Sequence, residues 1–154
     1  HSWRLALMAV LVGDEYPHLD MDKVLRMCLI HDLGESFTGD IPAFDKHPDH
    51  RMLEQQRLHE WIKTFPEPAQ TQFAQLLAEM NAMETDEARL YKALDNLEAV
   101  IQHNESDIST WLPLEYDLQL TYGADKVVFS PYLQELKAEI DCVTRRKIAE
   151  EGKR

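Results

Sequence analysis

The stretch CLIHDLGES, Cys28 to Ser36, begins as an apolar run and turns abruptly to His31-Asp32, with Glu35 close behind. Neighbouring side chains on an α-helix point about 100° apart, so this imidazole and carboxylate splay unless both aim at one point near a helix end. A metal ion would supply that point. Glu35 lies four residues from His31 and three from Asp32, so it stands over the same patch of helix, close to where such an ion would hold a water. The plain alternative is a solvated helix end at which a His-Asp pair falls by chance.

Two further residues bear on that choice. His1, Leu5, Met8 and Val12 fall at i, i+4, i+7 and i+11, one face of a helix, which places His1 on the stripe expected to face the core. A lone core histidine is usually just hydrogen-bonded, but a second inward histidine is what a metal site needs. Asp95 interrupts LYKALDNLEAV beside the stripe Leu90, Leu94, Leu97 and Ile101. A carboxylate there is costly unless paired or coordinated. Lys92 or solvent is its simplest partner, and a cage of His1, His31, Asp32 and Asp95 is the more specific one.

These residues need helices to carry them, and the chain reads as helical nearly throughout. The first helix ends at Gly13-Asp14. Asp20 or Asp22 can cap a second, with Val24, Leu25, Cys28 and Leu29 inward, leading into His31-Asp32. FTGDIPAFDKHPDH carries Gly39, Pro42 and Pro48 and reads as a loop, long enough to suggest function. A third helix is expected from about Pro48 to Thr64. Pro66 and Pro68 open a fourth ending near Met83, and Thr85-Asp86-Glu87 starts a fifth, with acidic residues at its positive end. NESDISTWLP is a second loop, and LEYDLQLTYG a short helix stopped by Gly123. Ser130-Pro131 caps a last helix that fades into a charged tail at 145–154. No alternation is long enough for a sheet, so the expected class is all-α, six to seven helices in a single domain spanning 1–154.

Length and composition set the limits. The 154 residues are 44% hydrophobic, enough to bury one sizeable core. No apolar run is long enough for a transmembrane helix, and the start lacks the basic leader of a signal peptide. Cys28 and Cys142 lie far apart in helical patterns, which suits reduced thiols and a cytoplasmic location. The net charge of −12 argues against a duplex nucleic-acid partner, but leaves room for a small phosphate ester, because a bound cation reverses the local field.

A histidine on a first helix, HD at the end of a second and an aspartate on a later one resemble the HD-domain metal-dependent phosphohydrolases. HSW before an apolar helix, HDLGESFTGDIP and LYKALDNLEAV are similar to one branch, the 5'-deoxynucleotidase-like enzymes, over a span from His1 to about Gly123. The resemblance implies an HD-domain helical bundle. It also implies metal ligands His1, His31, Asp32 and Asp95, Glu35 as the acid acting on the water or the leaving oxygen, and Asp40 near the attacking water or the sugar. Gly39 would let the backbone turn tightly beside Asp40. The implied substrate is a small nucleotide, a (deoxy)nucleoside 5'-monophosphate cleaved to nucleoside and phosphate, and the implied assembly a homodimer. HD domains also cleave alarmones, cyclic nucleotides and deoxynucleoside triphosphates, and a helical module with a structural metal is the non-enzymatic alternative. The family's phosphate-holding arginine and the tryptophan beside it would lie upstream of His1, so its N-terminal helix is expected to be missing from this sequence.

Two imidazoles and two carboxylates suit Mn, Co, Fe or Zn better than Ca. Four protein ligands on a six-coordinate ion leave room for a water and a phosphate oxygen. His47, His50 and His59 lie in polar surroundings and are read as solvated, which favours one divalent ion rather than two. His18 and His103 show no partner pattern. Trp61, Phe65 and Phe73 are assigned to packing, as is Trp111, for which lining the pocket or a subunit interface is the alternative; Glu98 and Gln102, one and two turns beyond Asp95, are assigned to a solvated face, with contact to the residues around the site as the alternative.

Overall fold

The computed structural model describes residues 1–39, 41 and 47–152. Among them are seven α-helices and no strand: α1 (Ser2–Val12), α2 (Met21–Ile30), α3 (Pro48–Ile62), α4 (Ala69–Ala82), α5 (Asp86–Glu105), α6 (Glu115–Thr121) and α7 (Pro131–Glu151). The expected all-α class and the order of its helices are what the chain adopts. No helix among the described residues is long and apolar enough to cross a membrane.

Local chemistry sets the helix ends. The Asp20 carboxylate accepts from the Lys23 amide at 3.1 Å, and the Thr85 hydroxyl accepts from the Ala88 amide at 3.2 Å. Each satisfies an amide that the first turn of its helix leaves without a partner. Ser130 caps α7 in the same way, with Pro131 at its first position. Beyond the expected boundary, α7 stays helical through Glu151. Lys147 and Glu151 pair at 3.0 Å one turn apart, so the charged C-terminal residues support the helix instead of unravelling it.

Helix α5 is the axis of the bundle. It packs against α1, α2, α4 and α7, and Leu90, Leu94 and Leu97 are fully buried within it. Burying a leucine is worth about 2 kcal/mol, and Leu5, Val24, Met27 and Leu133 join the same core from the neighbouring helices. The Tyr16 hydroxyl meets that of Ser130 at 2.7 Å in the interior, tying the segment after α1 to the start of α7.

Two of the sequence expectations for aromatic residues part company here. Trp111 is buried, as expected. Trp61 instead lies on the surface at 38% exposure, in an edge-to-face series with Phe37, Phe65 and Phe73. The bundle axis lies on the Leu58 and Ile62 side of α3, where both are buried, and the ring of Trp61 faces outward.

Gly123 follows α6 at φ +75°, where a Cβ would stand 2.9 Å from the Cβ of Asn96 on α5. Both the backbone conformation and the close approach require glycine. Gly123→Ala should therefore lower unfolding free energy by roughly 1–3 kcal/mol, read as an earlier urea midpoint with an unchanged denaturant slope.

Candidate metal centre

Three helices deliver the cluster. His1 caps the start of α1, His31 caps the end of α2, and Asp95 lies midway along α5. Asp95 Oδ1 stands 2.8 Å from His1 Nε2 and 3.2 Å from His31 Nε2. The three candidate ligand atoms all lie within 4.8 Å of one another. Asp32 begins the 3₁₀ turn Leu33–Phe37, and its Oδ2 is 3.0 Å from His31 Nε2. It stands at the exposed rim of the cluster beside His31, outside the mutually close triple.

Each imidazole is held by its other nitrogen. His31 Nδ1 bonds the Cys28 carbonyl at 2.9 Å, one turn back on α2. His1 Nδ1 bonds Glu98 Oε2 on α5. Both rings therefore turn Nε2 toward Asp95. Lys92 Nζ takes the other oxygen of Asp95 at 2.7 Å, so the plain partner expected for Asp95 and the two histidines share one carboxylate.

A divalent cation fits these residues. His31 is almost fully buried, and although two carboxylate oxygens lie near its Nε2, neither is aligned as a hydrogen bond. A buried nitrogen in that condition is suited to a ligand. The imidazole-carboxylate donor set also matches a first-row divalent metal.

Charge and burial shape the ionisation of these groups. Burial opposes a charge on His31, but its contacts with Asp32 and Asp95 outweigh that and push it up to about 10. The hydrogen bond to Asp95 raises His1 against its own burial, with Glu98 adding to the effect. Burial would raise Asp95, but the two histidines and Lys92 hold it well below the usual carboxylate range. Burial pushes the Cys28 thiol up to about 12, which leaves it protonated and a poor ligand at neutral pH.

The remaining expected residues are distributed around this cluster. Glu35 sits in the 3₁₀ turn, its amide bonding the Asp32 carbonyl at 2.9 Å, and lines the same cleft as the cluster. Gly34 lets that turn lie against α3, where a Cβ would stand 3.2 Å from Glu54 Cβ. Gly39 adopts φ +85° and bonds the Glu35 carbonyl at 2.7 Å, a tight turn of the kind expected there. Asp40 lies outside the described residues.

Several expectations change. Glu98 is 2% exposed, hydrogen-bonded to His1 and ion-paired with Arg4. The bundle closes α1 over that side of α5, so its face is not solvated. His1 is not swallowed by the core: its side chain keeps 25% exposure at the mouth of the cleft. His103 does have partners, stacking on Trp111 at 4.5 Å and approaching Glu115 at 3.6 Å. His59 is exposed yet lines the cleft with Arg51 and Gln55. Glu98 follows Asp95 by three residues, as Arg4 follows His1, a spacing that becomes informative only once α1 is seen to lie over α5, where two carboxylates then face two bases.

The cleft holds about 780 Å³, within the range of small-molecule sites. Histidines at two helix ends, a buried aspartate on the central helix and such a cleft give this all-helical bundle a candidate metal site. The profile of the HD domain family matches residues 1–137. The chain is 31% identical over 152 residues to the bovine protein named 5'-deoxynucleotidase HDDC2, covering 97% of this chain and 72% of that protein. The human protein of the same name is 31% identical over 107 residues, covering 68% of this chain and 52% of that one. The fold is similar to that of a predicted metal-dependent phosphohydrolase from Magnetospirillum magnetotacticum MS-1, with a TM-score of 0.77, 28% identity, and coverage of 96% and 76% of the two chains. This chain belongs to the HD-domain family.

The ionisation pattern has a measurable sign. His31 is raised above 6.5, so its pairing with Asp95 stabilises the metal-free fold fully below pH 6.5, and that contribution is lost as pH rises through about 10. Asp95 is depressed below 3.8, so its contribution is present above pH 3.8 and lost as pH falls well beneath it. The stability gap between the metal-stripped protein and its Asp95→Asn variant should be widest between pH 3.8 and 6.5 and should shrink toward pH 10. A gap that stays level in denaturant titrations across that range would rule out charge pairing at the cluster.

Proposed function

We propose that this protein is a metal-dependent phosphohydrolase that removes phosphate from deoxynucleoside 5'-monophosphates. The observation that carries the reading is the convergence of His1 Nε2, His31 Nε2 and Asp95 Oδ1 on one wall of a cleft of about 780 Å³. The family and the names of its relatives supply the reaction class.

His1, His31, Asp32 and Asp95 would hold one divalent ion, drawn from Mn, Co, Fe or Zn. When bound, such an ion supplies Lewis acidity to a phosphoryl oxygen and acidifies water. Asp32, on the exposed rim, is free to adjust its carboxylate toward the cleft. Glu35, one turn beyond, is assigned to proton transfer with the attacking water or the leaving 5'-oxygen. Asp40 and Gly39 are assigned to the loop that meets the water or the sugar. Lys92 holds Asp95 by one oxygen, keeping the other turned to the histidines, and with Arg51 it adds positive charge to walls that an acidic chain must offer a phosphate.

The same reading takes the chain as a single domain acting in the cytoplasm, consistent with free Cys28 and Cys142. It takes the assembly as a homodimer, for which the outward Trp3, Leu7, Val10 and Leu11 of α1 offer apolar surface. Nucleotides, and not nucleic acid or membrane, are its partners.

Phosphate release should be measured on chelator-stripped full-length protein, with Mn or Co restored, against ribo- and deoxynucleoside 5'-monophosphates, cyclic dinucleotides and alarmones. Metal-dependent turnover confined to monophosphates, favouring the deoxy series, is expected. Turnover of another phosphoester alone, with the monophosphates untouched, would displace the substrate assignment. Glu35→Gln should lower kcat by about 10²–10⁴ while leaving bound metal unchanged. An equal fall in metal content would instead mark Glu35 as a ligand.

A further inference from the structure

We infer that Glu98 is a positioning residue that fixes the His1 ring for metal binding. The inference rests on the reading of His1 as a ligand. At 2% exposure, a carboxylate in the packed centre of a bundle is strongly disfavoured unless its charge is compensated. An apolar side chain would satisfy α5 at that position better, so the charge calls for a specific explanation.

The geometry provides one. Asp95 and Glu98 lie one turn apart on α5, and His1 and Arg4 lie one turn apart on α1. Asp95 Oδ1 meets His1 Nε2 at 2.8 Å, while Glu98 Oε2 bonds His1 Nδ1. The two carboxylates thus address the two nitrogens of one ring from opposite sides. Only the Asp95 side opens onto the cleft with His31. Arg4 Nε holds Glu98 Oε1 at 2.8 Å and bridges outward to Glu105 at 2.6 Å. The contact with Arg4 opposes rotation of the Glu98 carboxylate away from the ring.

A proton kept on Nδ1 by Glu98 leaves the lone pair on Nε2, the nitrogen that faces Asp95. The bond also sets the ring plane and makes Nε2 the more basic donor. His31 is anchored differently, through a neutral backbone carbonyl at 2.9 Å. His1 caps the start of α1 with its side chain 25% exposed, against 5% for His31, so it lacks the packing that confines His31. Glu98 supplies the constraint that the fold does not.

The test is Co²⁺ affinity, by competition with a chelator, for His1→Ala, Glu98→Ala, Glu98→Gln and the double variant His1→Ala/Glu98→Ala. His1→Ala should weaken binding on its own; if it does not, His1 is no ligand and the inference falls with that reading. Given that loss, Glu98→Ala should weaken Co²⁺ binding about 10–100-fold in the wild-type background and produce no further loss when His1 is already alanine. Glu98→Gln keeps an acceptor for Nδ1–H and should recover most of the affinity. Equal losses from Glu98→Ala in both backgrounds, or wild-type affinity in that variant, would show that Glu98 does not act through His1. Glu98→Gln preserves volume, so if the alanine variant fails to fold, Glu98→Gln decides in its place: a loss of Co²⁺ affinity confined to the background that retains His1 supports the role, and no loss, or an equal loss when His1 is already alanine, overturns it.

Discussion

The structure turns on a carboxylate placed where a leucine would be cheaper. Asp95 occupies the middle of α5, the helix around which α1, α2, α4 and α7 pack, and its neighbours Leu94 and Leu97 have no exposed surface. A lone charge there would be expelled or neutralised. It persists because cationic or hydrogen-bonding groups reach it from three elements: His1 from α1, His31 from the end of α2 and Lys92 from its own helix. The helix ends are thereby fixed relative to the axis. The same demand that keeps Asp95 charged brings His1, His31 and Asp95 together.

The abrupt change of character after Ile30 follows from this. An α-helix continued through Leu33 would carry His31 and Asp32 away from each other by its regular rotation. Instead the α-helix stops at Ile30 and the chain tightens into a 3₁₀ turn that begins after Asp32, whose Oδ2 lies 3.0 Å from His31 Nε2. That tightening needs close contact with α3, and Gly34 permits it. Glu35 then emerges on the cleft side. One glycine thus connects a steric condition at the α3 surface with the position of the residue assigned to proton transfer.

Much of this was legible in the chain. The Asp20, Thr85 and Ser130-Pro131 helix starts were readable because caps are local chemistry, decided within three residues. The 3.6-residue stripes of α1 and α5 were readable for the same reason. His31-Asp32 and Asp95 stood out as polar residues at apolar positions. Glu98 did not, because a carboxylate one turn along a helix looks the same whether solvent or another helix covers it. Only the closure of α1 over α5 decides that, and closure is a property of the whole bundle. Trp61 failed for the mirror reason: an aromatic residue invites assignment to the core, but Leu58 and Ile62 had already taken the inward side of α3.

The cluster also shows how a site of this kind can be folded before its cation arrives. His1 and His31 are both raised above the ordinary histidine value by the carboxylates they face, which favours a charged imidazolium beside an ionised Asp95. On the proposed reading, a divalent ion held there would compete with those protons for the same oxygen and the same two nitrogens. The exchange asks for little movement, because the rings are already tethered at Nδ1 by Cys28 and Glu98. Binding of that ion would then release protons. Preorganisation of this sort keeps the ligands from collapsing onto one another or swinging into solvent, and it leaves the cleft side of the cluster, where Asp32 and Glu35 stand, as the place where geometry can still adjust to a substrate.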